Sequence, residues 1–247
     1  MATPTKMEFA VQMTCQGCVN SVKKVLDGAP GINSVDVLLD SEQVIVESSL
    51  PSSQVKDLIE TTGKRAVLQG YGSSNGQSHL GAAVAIMEAG STLMKGVVRL
   101  VQSNEMTCVV EGTVDGLPQG THTVCVHELG DLSRECNSCG DILGLTDKVK
   151  GIVTELKVGE DGRGIFRSAN HDLKVWNLIG RSMIIHQGPK EEVIKGGNSN
   201  RMVCGIIARS AGLFENNKKI CACDGVTIWE ERDKPLAGQQ RQNKSTL

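Results

Sequence analysis

Nine cysteines occur in these 247 residues, and six of them come in close pairs: Cys15 with Cys18, Cys136 with Cys139, and Cys221 with Cys223. A thiolate is both a soft ligand and a nucleophile, so paired thiols bind soft cations or exchange as disulfides. In Met13-Thr14-Cys15-Gln16-Gly17-Cys18 the CxxC spacing opens a helical pattern. Both thiols then sit on a first helical turn, whose dipole favours the anions. With no third or fourth Cys or His nearby, two thiols are too few for a tetrahedral structural zinc site and suit Cu(I). A thioredoxin-like redox pair is the other reading of the same spacing. Cys221-Ala222-Cys223 is different, because residues two apart on an extended chain lie about 6.5–7 Å from each other. To clasp one ion the segment must bend or share its metal, and a disulfide across CxC is strained and labile. Cys108, Cys125 and Cys204 stand alone and read as small buried hydrophobes unless something else promotes them.

The elements that position these thiols follow from periodicity. A strand over 8–12 leads to a helix carrying Val19, Val22, Val25 and Leu26 at helical spacing, stopped at Gly28 and Gly31. Strands over 35–39 and 44–47, a helix over 52–62 and a strand over 66–68 complete the order βαββαβ. That order predicts an α+β ferredoxin-like N-terminal domain over 1–70, and it weakens the thioredoxin-like reading of Cys15 and Cys18. Residues 71–80 have the Gly, Ser and Asn composition of a flexible linker. Short β runs follow at 96–101, 107–113, 122–126, 164–167, 183–186 and 201–208, separated by turn residues. They predict an all-β antiparallel Greek-key sandwich or barrel over 81–212. From 213 to 247 the chain is polar and reads as a largely irregular, mobile tail with the CxC pair in its middle.

Charge and hydropathy exclude whole classes of partner. The 26 basic and 28 acidic residues give a net charge of −2 and are interspersed, so no field gathers nucleic acid or an anionic membrane. No run approaches the roughly 18 apolar residues of a membrane span, and MATPTKMEFA lacks the features of a signal peptide. The expectation is a soluble, cytoplasmic protein.

Three resemblances add to this reading. Met13-Thr14 before CxxC resembles the metal-binding loop of heavy-metal-associated domains, which favours copper at Cys15 and Cys18 over redox exchange. Lys64, in Thr62-Gly63-Lys64-Arg65, stands where such domains bring a cation near the metal loop. It either offsets the charge of a bis-thiolate Cu(I) centre or is a solvated lysine. Second, the segments 120–131, 180–186, 195–198 and 202–208 resemble Cu,Zn superoxide dismutase over about 82–212. That resemblance implies a disulfide between Cys136 and Cys204, with Cys139 as a competitor. It leaves His127 and His186 as residual copper-site candidates, with Cys125 where the dismutase has a further histidine. The dismutase's zinc loop has no counterpart in 141–150, so no zinc is expected, and its active-site arginine is missing after Cys204.

The whole layout, a metal domain, a dismutase-like domain and a CxC tail, resembles the family of copper chaperones for superoxide dismutase. The resemblance implies a non-enzymatic carrier that takes Cu(I) on Cys15 and Cys18 and docks on apo Cu,Zn superoxide dismutase as a heterodimer. Cys221 and Cys223 then deliver copper and help form the target's disulfide. It also implies a homodimer without target, and occurrence in the nucleus and mitochondrial intermembrane space as well as the cytoplasm. The alternatives are an active or relic dismutase-like protein and a copper-independent thiol oxidoreductase.

Overall fold

The computed structural model describes residues 3–74, 80–146, 148–196, 200–216 and 227–232, so Cys221 and Cys223 lie outside the described residues. The chain divides into two compact units. One comprises the residues up to Ala82, Val101–Asn104 and the described part of Ala211–Lys234; the other comprises Ala83–Leu100 and Glu105–Ser210.

In the first unit the strands β1 (Thr5–Val11), β2 (Ile32–Leu38), β3 (Gln43–Ser48) and β4 (Ala66–Ser73) alternate with the helices α1 (Gln16–Leu26) and α2 (Ser52–Glu60). The strands form one antiparallel sheet in the order β2-β3-β1-β4, as the βαββαβ pattern predicts. β1 is central and buried on both faces. Met7, Phe9 and Val11, two residues apart, pack with Val22 and Leu26 of α1 and with Val55 and Ile59 of α2. Burial of side chains this size stabilises the unit by about 1.5–3 kcal/mol each. Glu8, on the other face of β1, is also fully buried. Asp27 closes α1, and Gly28 takes φ +81°, a left-handed stop that glycine adopts without a steric penalty. β4 runs on to Ser73, into the Gly-rich stretch, with Tyr71 buried and its hydroxyl bonded to Thr5 Oγ1 at 3.2 Å.

The second unit is an antiparallel eight-stranded sheet. Its strands are β5 (Ala82–Met87), β6 (Lys95–Asn104), β7 (Thr107–Asp115), β8 (Gly120–His127), β10 (Ile152–Val158), β11 (Arg163–Asn170), β12 (Ser182–Gln187) and β13 (Arg201–Arg209), with the short β9 (Ser133–Cys136) beside β13. The order β10-β8-β12-β13-β5-β6-β7-β11 brings its two edges, β10 and β11, side by side, so the sheet is a nearly closed barrel. Closure removes most of the unpaired strand edge. Leu100, Val110, Val126, Met183, Ile185 and Val203 lie in the apolar core. Two short helices, α3 (Val175–Leu178) and α4 (Lys190–Gly196), sit in the connections flanking β12.

The segment after Cys139, where the sequence predicts no strand, supplies β10. Leu143 N–H donates to Val126 O, Val126 N–H donates to Gly151 O, and β10 pairs along β8 from Ile152↔Cys125 to Val158↔Gly120. Ile142 packs with Cys125 and Val193, flanked by Leu145, Val149 and Ile152, so this loop is held by apolar contact.

The tail is not irregular throughout. Ile228–Arg232 forms a turn of helix, α5. Thr227-Ile228-Trp229-Glu230 is a capping box: Thr227 N–H donates to Glu230 Oε2 at 2.8 Å and Glu230 N–H to Thr227 Oγ1 at 3.2 Å, satisfying two otherwise orphaned donors.

Candidate metal site

α1 begins where β1 has delivered the chain to one end of the sheet. Cys15 is its N-cap residue in extended conformation, and Cys18 N–H donates to Cys15 O at 3.0 Å. The turn brings the two sulfurs to 3.6 Å from each other. Cys15 is exposed, whereas Cys18 is 6% exposed and belongs to the apolar core with Met13 beneath the loop. The Cys18 thiol is lowered from 9.0 to about 6 by hydrogen bonds from the backbone at Thr14, then from the Cys15 backbone and side chain, against an opposing effect of burial. Two close sulfurs, one open to solvent and one acidified, can exchange a soft monovalent cation with an incoming thiol.

Lys64 is half-buried in the turn between α2 and β4, after Gly63 at φ +76°. Its neighbour Arg65 accepts a backbone hydrogen bond from Gln12 N–H at 3.0 Å, three residues ahead of Cys15. The loop bearing this cation is therefore tied to the strand end that leads into the thiol pair.

In the barrel, β8 and β12 pair directly and bring His127 and His186 together, both fully buried. Their Nε2 atoms are 2.9 Å apart and their rings stack at 5.1 Å. His127 Nδ1 donates to Gly140 O at 3.0 Å, so its Nε2 is the acceptor and His186 Nε2–H the donor. Burial holds His127 down, to about 3 from an ordinary 6.5, because the cation is poorly solvated there; Gly140 pulls the other way, and His186 and Arg201 add to the lowering. Cys125, two residues before His127, is fully buried and pushed far up by desolvation. His122 is buried with Nε2 2.7 Å from Pro118 O, and His171 lies at the surface, 3.3 Å from Thr107 Oγ1. Among the described residues no group of three or more His, Cys, Asp or Glu side chains is arranged to hold a metal ion.

Cys136 and Cys204 are joined as a disulfide with Cα atoms 5.7 Å apart, tying β9 to β13. Cys139 is a buried free thiol in the same cluster, donating towards Asp131 O at 3.4 Å, and burial raises its pKa. Arg201 organises this end of the barrel: its Nη1 donates to Cys136 O and its Nη2 to Gly140 O, both at 2.5 Å. Gly140 O thus receives both Arg201 and His127, from a backbone at φ +72° that favours glycine. Sequence reasoning missed Arg201, since only the pairing of β13 with β12 brings it to a loop some 60 residues earlier.

A heavy-metal thiol loop on a ferredoxin-like unit, joined to a superoxide dismutase-like barrel, defines a metal-handling protein of composite build. Residues 8–65 match the Heavy-metal-associated domain, and residues 94–207 match the Copper/zinc superoxide dismutase (SODC) family. The chain is 47% identical to "Copper chaperone for superoxide dismutase" of Mus musculus, over 98% of this chain and 94% of that protein. It is 46% identical to the Homo sapiens protein of the same description, over 97% and 93%. With "Superoxide dismutase 1 copper chaperone" of Saccharomyces cerevisiae the identity is 34%, over 93% and 94%. The chain belongs to the family of copper chaperones for superoxide dismutase.

Proposed function

We propose that this chain is a Cu(I) carrier that loads Cys15 and Cys18 and delivers its cargo to apo Cu,Zn superoxide dismutase. The observation that carries the reading is the pair of sulfurs 3.6 Å apart with one thiol acidified, in a chain that aligns over 98% of its length with a copper chaperone. Lys64 offsets the negative charge of the bis-thiolate centre. Cys221 and Cys223 take the copper onward and promote the target's disulfide; two target thiols lose two electrons and two protons, with dioxygen as acceptor.

The barrel docks by imitating a dismutase subunit, and in the absence of target it pairs with a second copy of itself. An exposed apolar patch supports this surface. Ile206 is 40% and Leu129 52% exposed, and Ser182, which pairs with Ile206 across β12 and β13, donates through Oγ to Leu129 O. Ile86, 49% exposed, borders Gly205. The barrel itself is not a dismutase. His127 and His186 face each other, and Nδ1 of His127 is committed to a carbonyl, so two imidazoles are left where a redox copper centre needs a full ligand set. The same lack argues against zinc. No helix among the described residues is long and apolar enough to cross a membrane, and we place the carrier in the cytoplasm, with the nucleus and mitochondrial intermembrane space as further sites of action.

The test mixes Cu(I)-loaded protein with reduced, zinc-bound, copper-free dismutase under oxygen and a strong Cu(I) chelator, following target activity and disulfide. Activation that persists in chelator and is lost in Cys221→Ser/Cys223→Ser establishes handoff through the tail. Target disulfide formation undiminished by strict copper removal would instead make the chain a thiol oxidoreductase.

A further inference from the structure

The face of the N-terminal sheet around Glu8 has a specific occupant. A buried carboxylate needs donors on its oxygens. Glu8 Oε1 accepts from Gln43 Nε2 at 2.7 Å, and Oε2 accepts from the backbone N–H of Phe214 at 2.6 Å. Beside it, β4 carries Gly70 and Gly72. A Cβ on Gly70 would stand 2.7 Å from Gly212 O and 3.1 Å from Leu213 Cα, and one on Gly72 would stand 2.9 Å from Leu213 Cγ. Neither glycine has a left-handed backbone; the close approach of residues 212–214 crowds both, and at Gly70 the Glu8 Oε2 that holds Phe214 stands 2.7 Å from the same Cβ. Gln69, immediately before Gly70, is opposite no residue of β1 because the register shifts at Glu8/Phe9; its carbonyl accepts from Asn216 Nδ2 at 3.3 Å.

The approaching segment is shaped for this contact. Glu215 Oε2 accepts from Gly212 N–H at 2.7 Å, closing a turn. Phe214 takes φ +63°, a conformation rare for an aromatic residue that persists only where neighbours over-determine it. α5 also lies against β4.

We propose that this face is an intramolecular latch whose occupant is Gly212–Asn216 of the same chain, fastening the C-terminal segment to the unit that carries Cys15 and Cys18. Cys221 comes five positions after Asn216 and Cys223 four positions before Thr227, so the chain length alone keeps each of these cysteines within about 17 Å of an anchored residue. On the carrier reading above, this raises the effective concentration of the tail thiols around the loaded pair; the latch itself stands without that reading.

Amide hydrogen exchange on the full, metal-free chain tests it. Phe214 N–H is expected to exchange about 10- to 100-fold more slowly than in an unstructured chain. Glu8→Gln leaves one acceptor oxygen for two donors, and Gly70→Ala drives a Cβ onto both the segment and the Glu8 oxygen that holds it; each should abolish that protection while the amides of Val44 and Val46 keep theirs. Leu213→Ser should do the same from the segment's side without touching the sheet, which covers the case in which a sheet variant fails to fold. Exchange of Phe214 at the unstructured rate in the unaltered protein would overturn the latch, as would protection surviving both Gly70→Ala and Leu213→Ser.

Discussion

Two side chains in this protein titrate far from their usual range in the same direction for different reasons. Cys18 is lowered to about 6 by donors aimed at its sulfur, so its thiolate persists well below the usual 9.0. Ultraviolet thiolate absorbance of the metal-free protein should show one group titrating near pH 6, lost in Cys18→Ser and shifted upward in Cys15→Ser. Below that pH the proton on Cys18 must be displaced as well, so apparent Cu(I) affinity should fall with acidification about tenfold more steeply per pH unit than it does above pH 6. His127 is lowered to about 3 by burial. The unfolded chain takes up this proton near 6.5 and the folded barrel only near 3, so between those values unfolding is favoured by acid. The stabilisation is complete above pH 6.5 and is lost as pH falls towards 3, on the order of a few kcal/mol. Denaturant unfolding of the barrel from pH 7 to 4 should show this slope, and His127→Gln should flatten it.

Among the elements, the pairing of β7 with β11 places Arg167 opposite Glu111, and their side chains meet at 2.9 Å with 9% and 3% exposure. Removing one partner of such a pair leaves an uncompensated buried charge. Glu111→Ala should therefore cost about 3 kcal/mol, read as a lower denaturation midpoint of the barrel with an unchanged m-value. The first unit's elements were legible because each shows its own period: β1 alternates and α1 repeats Val19, Val22 and Leu26 on one face. β5, β9 and β10 were not. β5 is a continuous run of apolar residues without alternation, and β9 has four residues. β10 lies in a stretch whose strand character is settled by its partner β8. The helical turn α5 had a signal in the Thr227-x-x-Glu230 spacing, but an isolated turn of five residues is too short for periodicity to register.

At the scale of the whole molecule, the apolar patch of Ile86, Leu129 and Ile206 sits on strands and a loop far apart in sequence. If it is the docking surface, Ile206→Glu should weaken association with apo-dismutase and with a second copy by at least tenfold in sedimentation or titration. The barrel's melting temperature should hardly change, because the side chain is exposed. The sequence by itself determined the thiol pairs, the βαββαβ order and the β character of the second unit, because ligand spacing and hydrophobic period are local properties of the chain. The tertiary structure alone decided that His127 and His186 face each other across β8 and β12, that Arg201 and Gly140 bind the disulfide end of the barrel, that 152–158 completes the sheet, and that Glu8 holds Phe214. Each of these depends on strands distant in sequence meeting in a particular register, and register is set by the packing of the whole core.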